Sequence, residues 1–211
     1  MTEIVEPTAP LMSEVERIVS PPISQRKANN LLYDACKTGN LEDARTALES
    51  GANVDHAIGN TPCLFWAVIK ENENIIDLLI EHDVNTDVRV GGYNALFSAI
   101  ERGNLNIVKK LIRHGASANS ETESTGETPL TYASCTDKAE IVETLITYGG
   151  AHVNHATKNF GCTALHLAAN RKRLEVVKVL LKHGGNWRLK TKKGQNVLDV
   201  TPNGPIRDLF K

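Results

Sequence analysis

The stretch Gly161-Cys162-Thr163-Ala164-Leu165-His166-Leu167-Ala168-Ala169, with Leu174-Glu175-Val176-Val177-Lys178-Val179-Leu180-Leu181-Lys182-His183-Gly184 close behind it, decides the fold. Leu165 is followed three residues later by the small Ala168. Six, nine and thirteen residues past that alanine stand Leu174, Val177 and Leu181. This is the spacing of a helix with one buried face. Gly184 then sits where a helix stops in a left-handed conformation.

Working outward, the same unit recurs along the chain. Its anchor leucines are Leu32, Leu64, Leu96, Leu130, Leu165 and Leu198, at successive spacings of 32, 32, 34, 35 and 33. Three residues after each stands Ala35, Ala67, Ala99, Ala133, Ala168 or Thr201. Leu41, Ala44 and Leu48 repeat the second helix in the first unit, and Leu105, Val108 and Ile112 repeat it in the third. Gly51, Gly115 and Gly149 close other units as Gly184 closes the fifth. A period in this range predicts a stacked solenoid of two-helix units sharing one continuous core.

This pattern resembles the ankyrin repeat, whose signature is Thr-Pro-Leu-His, a helix, a Gly, a second helix, then Gly-Ala-Asp-Val-Asn. Besides the fifth unit, Gly126-Glu127-Thr128-Pro129-Leu130 in the fourth and Leu111-Ile112-Arg113-His114-Gly115-Ala116 in the third carry the resemblance. It covers residues 28–211, with units starting near 30, 62, 94, 128 and 163 and a truncated cap near 196. The implied fold is all-α with short β-hairpin loops.

Departures from the pattern are local. Thr61-Pro62 lies one residue early relative to Leu64, and Glu71 and Asp83 replace the second unit's two usual glycines. Its first turn and hairpin are therefore expected to deviate from the family geometry. In the last unit, Pro202-Asn203-Gly204-Pro205 should end one helix and start another with Pro205 near its first position. Ile206, Leu209 and Phe210 are expected to cover the fifth unit's flank, with Arg207, Asp208 and Lys211 facing water.

Composition, 41% hydrophobic and 23% charged, is ordinary for a globular domain. No stretch approaches the roughly 18 apolar residues of a membrane span, and the acidic N-terminus does not read as a signal peptide. Cys36, Cys63, Cys135 and Cys162 fall at separate repeat positions, which suggests buried thiols in a reducing compartment, cytoplasm or nucleus. The net charge of -1 hides a polarity. Residues 1–105 hold 8 Lys+Arg against 16 Asp+Glu, or -8, and residues 106–211 hold 16 against 9, or +7. Arg171-Lys172-Arg173, Lys178, Lys182, Arg188, Lys190, Lys192 and Lys193 concentrate the basic end, which suits an acidic protein segment. Nucleic acid fits poorly, because aromatic residues do not interleave with the basic ones.

No catalytic constellation or cofactor motif emerges, so no enzyme activity, cofactor or metal is expected. His82, His114 and His183 share one repeat position with Tyr148. Neighbouring helices roughly 8 to 10 Å apart are too distant for two of them to share an ion, so a role in bonding the last helix carbonyls is expected. His166 matches the signature histidine, which in the family bonds the turn. His152 and His155 lack a third ligand.

The resemblance implies recognition of a protein through the hairpin tips and a concave groove of inner helices. Interfaces rest on a few aromatic and Arg anchors, so the candidate contacts are Trp66, Tyr93, Arg102, Tyr132, Phe160 and Arg171. Trp187 is expected to pack locally. Asn119 sits where asparagines of other members are hydroxylated, and Asn154 lies near that register.

Residues 1–27 read as a mostly disordered tail. Within it Ser13-Glu14-Val15-Glu16 fits a capping box, and Pro7-Thr8-Ala9-Pro10 is identical to a motif that binds the UEV domain of the endosomal-sorting machinery. The expected function is that of a non-catalytic inhibitor or adaptor, monomeric before it meets its partner. Alternatives are a structural subunit of a larger assembly and a bivalent adaptor using the tail.

Overall fold

Short helices alternate with hairpin loops along the whole of the computed structural model, which describes residues 23–210. The first unit is α1 (Gln25–Thr38) and α2 (Leu41–Glu49). A two-residue hairpin, β1 (Ala57–Ile58) and β2 (Thr61–Pro62), leads into α3 (Cys63–Ile69) and α4 (Glu73–Glu81). Then come α5 (Ala95–Arg102) with α6 (Leu105–Arg113), α7 (Pro129–Ala133) with α8 (Ala139–Thr147), and α9 (Ala164–Asn170) with α10 (Leu174–Lys182). The stubs α11 (Val197–Val200) and α12 (Pro205–Asp208) finish the stack. The chain is an all-α solenoid: the inner helices α1, α3, α5, α7, α9 and α11 pack in sequence, and the outer helices form a second layer.

The repeated leucine and alanine explain the stacking. Leu32, Leu64, Leu96, Leu130 and Leu165 are buried, as are Ala35, Ala67, Ala99, Ala133 and Ala168. Alanine at that position lets adjacent inner helices approach closely while leucine fills the space between layers. Together with Ile75, Ile107, Ile141 and Val176 they form one continuous core. Truncating any of these leucines to alanine would cost about 2 to 5 kcal/mol.

Polar groups tie the hairpins together. Side-chain oxygens of Asp55, Asp87, Asn119 and Asn154 accept from the backbone N–H of Asn85, Ser117, His152 and Asn186, one unit further on, at 2.8, 2.9, 2.8 and 2.8 Å. Asn29 on α1 starts this ladder by accepting from Asn53 N–H at 2.8 Å. The helix α1 begins at Gln25, ahead of the boundary at residue 28, and its extra turns stand where later units have a hairpin. Gln25 Nε2 donates to the Gly51 carbonyl.

Side-chain caps set the starts of α2, α6, α7, α9 and α11. Thr128 and Thr131 cap α7 reciprocally, Thr163 and His166 cap α9, and Asn196 and Asp199 cap α11. The helix α3 has Pro62 at its N-cap and so no side-chain cap, because its threonine lies one residue early.

Several expectations need correction. Glu71 and Asp83 do not change the turns they occupy: both adopt the left-handed conformation, at φ 55° and 58°, and Lys172 does so at 60°. The backbone bonds that close each helix hold these turns, Asn72 N–H to the Ala67 carbonyl at 2.9 Å, Val84 N–H to Leu79 at 3.1 Å and Arg173 N–H to Ala168 at 2.9 Å, and the backbone carries the steric cost of a Cβ there. In the fourth unit the left-handed glycine is Gly150, at φ 62°, and not Gly149. A Cβ on Gly149 would lie 2.7 Å from the Leu145 carbonyl oxygen. At the C-terminal end Ile206 is buried and Phe210 packs on Trp187 with ring centroids 6.2 Å apart, but Leu209 is 40% exposed. Arg207 does not simply face water, since it donates to the carbonyls of Leu198 and Thr201 at 3.1 and 3.3 Å.

Candidate protein-binding face

Each inner helix presents one residue just past the signature histidine position to the open side of the stack: Asp34, Trp66, Ser98, Tyr132, Leu167 and Val200. All but the exposed Asp34 are half-buried. Their stems pack against the core while their ends stay accessible, a consequence of short helices whose other faces are used for stacking. Cys162, Leu167, Asn170 and Val200 line a shared open depression between α9 and α11.

The candidate anchors fall into separate groups. Trp66 donates its indole N–H to the Tyr33 hydroxyl at 2.8 Å, meets that ring edge-on with centroids 6.4 Å apart, and has Lys37 Nζ 5.5 Å from its centroid. Tyr93 and Tyr132 are joined through Phe97, whose ring lies edge-on to each at 5.0 and 5.7 Å. Burial raises the Tyr132 phenol above its ordinary value, helped by Glu101 and neighbouring groups. Tyr93 is 36% and Phe160 61% exposed, both on hairpins. Arg102 and Arg171 are exposed at the far ends of α5 and α9. The structure therefore links Tyr93 with Tyr132, leaves Trp66 in its own cluster, and separates Phe160 from Arg171 by the length of α9.

Phe97 was not among the sequence candidates. It occupies the signature histidine position, where an aromatic residue signals burial, and only stacking shows that it carries two neighbours.

The basic end is not one surface. Lys178 pairs with Glu175 at 2.8 Å, Lys182 with Glu143 at 2.9 Å and Lys158 with Glu121 at 2.8 Å, and Arg173 Nε donates to the Cys135 carbonyl at 3.3 Å. Arg171 and Lys172 sit at the turn end of α9, while Lys190, Lys192 and Lys193 lie on the hairpin at its other end. Seven residues of helix, roughly 10 Å, intervene. Arg188 stacks on Trp187, 4.5 Å from its centroid.

Three of the histidines, His155, His166 and His183, have structural partners, while the buried Nε2 of His56 has no hydrogen-bond partner among the described residues. His166 Nδ1 meets Thr163 Oγ1 at 2.8 Å and its Nε2 meets the Gln195 carbonyl at 3.3 Å, so it bonds both its own turn and the next hairpin. Burial pushes its pKa below the ordinary value. His183 turns to Glu143, 3.0 Å away in the preceding unit, and not to a helix carbonyl. His155 Nε2 lies 3.0 Å from the Gly126 carbonyl. Among the described residues no group of three or more His, Cys, Asp or Glu is arranged to hold a metal ion. The cysteines are unpaired, and the Cys36 thiol is pushed strongly up by its hydrogen bond with Cys63 and by burial. No described helix is long and apolar enough to cross a membrane.

Asn119 and Asn154 make the same hydrogen bonds, Asn119 half-buried and Asn154 exposed. Besides the ladder bonds above, their Nδ2 groups donate to the carbonyls of Gly150 and Gly184, each at 3.0 Å. The inserted glycine does not move Asn154 out of register. Pro7-Thr8-Ala9-Pro10 and the Ser13-Glu14-Val15-Glu16 segment lie outside the described residues.

Comparison with known proteins agrees with this architecture. A family model described as ankyrin repeats (3 copies) matches residues 32–122, 64–157 and 96–192 in overlapping registers. The chain belongs to the ankyrin-repeat family, and its repeats form a protein–protein interaction module. The crystal structure of the human ASB11 ankyrin repeat domain superposes with a TM-score of 0.72 at 25% identity, covering 84% of this chain and 79% of that one. Among curated proteins no sequence matches the chain.

Proposed function

We propose that the chain acts by occupying a partner protein's surface, as an inhibitor or adaptor with no chemistry of its own. The row of half-buried side chains Trp66, Tyr132, Leu167 and Val200, edged by exposed Tyr93 and Phe160, supports this reading. Such residues are the type that supplies most of the energy of an interface. Arg102 and Arg171 flank the row, and an acidic segment of the partner would meet one of the two basic groups, Arg171 with Lys172 or Lys190 with Lys193.

The test is affinity capture from lysate with the wild-type chain and a W66A/Y93A/Y132A variant shown by circular dichroism to be folded. Loss of a partner with the variant alone places binding on the inner face. Retention by both moves the site to the basic segments or the tail, and the inner-face reading falls.

The bivalent version assigns a second partner to Pro7-Thr8-Ala9-Pro10. Removing residues 1–22 leaves α1 whole, and it should abolish bridging while sparing masking. A structural subunit would need a large exposed apolar patch, yet Ile23, Ile58, Tyr93, Tyr148, Phe160 and Leu209 lie on six different segments. The reading places the protein in cytoplasm or nucleus, where unpaired cysteines stay reduced, and as a monomer until it binds.

A further inference from the structure

Lys70, Arg102 and Arg171 each follow the apolar row by four residues, standing four past Trp66, Ser98 and Leu167. Residues four apart lie on one helical face, about one turn or 5.4 Å apart along the axis. The inner helices stack in sequence, so two parallel rows run along the open face: an apolar row, and a basic row beside it toward the turns. All three basic side chains are exposed. Among the described residues none is paired with a carboxylate. Glu71, next to Lys70, accepts from Asn104 Nδ2 at 3.1 Å. The fourth unit interrupts the basic row, since Thr136 follows Tyr132 by four and Asp137 comes next.

From these two rows we infer the partner's chemistry: an amphipathic α-helix lying along the inner face, apolar on one side, with acidic residues on one flank spaced to meet Lys70, Arg102 and Arg171. The inference rests on the inner-face reading above and adds the shape of what binds there. Stacked helices are about 10 Å apart, and seven helical residues rise about 10.5 Å while completing almost two full turns. Acids seven apart therefore stay on one flank and meet Lys70 and Arg102 in register. An acid about 14 residues further would reach Arg171, with the intervening position opposite Thr136 left free of charge. A β-strand covers the same 10 Å in about three residues, but side chains three apart point to opposite faces. An extended segment cannot keep this register. Ser98 leaves a gap in the apolar row between Trp66 and Tyr132, suited to a large apolar side chain of the helix.

The probe is a displayed library of peptides about 30 residues long, with leucines at helical spacing and randomised flanks, selected on the folded full-length chain. Enriched peptides are then measured by fluorescence anisotropy against wild type, W66A/Y132A and R102E. The expected winners carry two acidic residues about seven apart and a third about 14 further on, lose about tenfold or more in affinity with R102E, and recover when the facing acid is changed to Lys. Winners that need Trp66 and Tyr132 but carry no acidic flank, or bind R102E unchanged, overturn this inference and leave the inner-face reading standing. Winners indifferent to W66A/Y132A, or none at all, overturn both. Capture of a single-stranded oligonucleotide by the same residues, in place of any peptide, also overturns it.

Discussion

The indole N–H of Trp66 is donated to the hydroxyl of Tyr33, 33 positions earlier, at 2.8 Å, across the boundary between the first two units. The bond holds a large ring half-open on the inner face, with Lys37 above it. A residue that serves both stacking and exposure in this way is preorganised for contact, since its rotamer is set before any partner arrives.

Tyr33→Phe removes the acceptor and leaves the Trp66 N–H without a protein partner. The expected loss is about 1 kcal/mol in urea unfolding, with a change in Trp66 fluorescence in the folded state. No change in either would mean that water replaces the hydroxyl at no cost.

Acid should weaken the fold in two stages. Burial holds His166 below its ordinary 6.5, so below that pH the unfolded chain takes up a proton that the folded chain resists, and stability falls with pH until the folded value is passed. Glu121 is held below the ordinary carboxylate value of 4.5 by Lys158, and Glu143 by His183 and Lys182. Their contribution is present above that value and is lost as pH falls through the lowered one. His166→Thr copies the Thr128/Thr131 cap of the fourth unit, and should flatten the stability profile between pH 5 and pH 7 (about the ordinary His range). An unchanged slope would assign the upper stage to another group.

Asp83→Gly should stabilise the chain by roughly 0.5 to 1 kcal/mol, because a left-handed non-glycine residue is relieved. Glu71→Gly should give less, since it also loses the bond from Asn104. Thermal unfolding of the two single variants checks the order.

Asn119→Ala breaks the bond from His152 N–H and the bond to the Gly150 carbonyl together. A loss of about 1 to 3 kcal/mol is expected, and Asn154→Ala should match it because the geometry is the same. If either asparagine is hydroxylated, mass spectrometry of the native protein will show one added oxygen there. Its absence at both removes that assignment.

The positions of helices and core were legible because they follow from a one-dimensional period. Leu32 through Leu165 and their partner alanines repeat at a nearly constant interval, and each unit buries its leucine by the same local geometry. The candidate anchors were half-legible: position in the repeat placed Trp66 and Tyr132 on the inner helices. It did not show how far each is buried, because that depends on Tyr33 and Phe97, which come from neighbouring units.

By itself, then, the sequence determined that the chain is a stack of two-helix units, where each unit begins, and which residue types face inward. Only the tertiary structure decided that Glu71, Asp83 and Lys172 take glycine's conformation, that the basic end divides across α9, and that Lys70, Arg102 and Arg171 line up beside an apolar row. Periodicity reports which faces are apolar; the left-handed turns follow from the backbone bonds that close each helix, and the two surface arrangements from the stacking of one unit on the next.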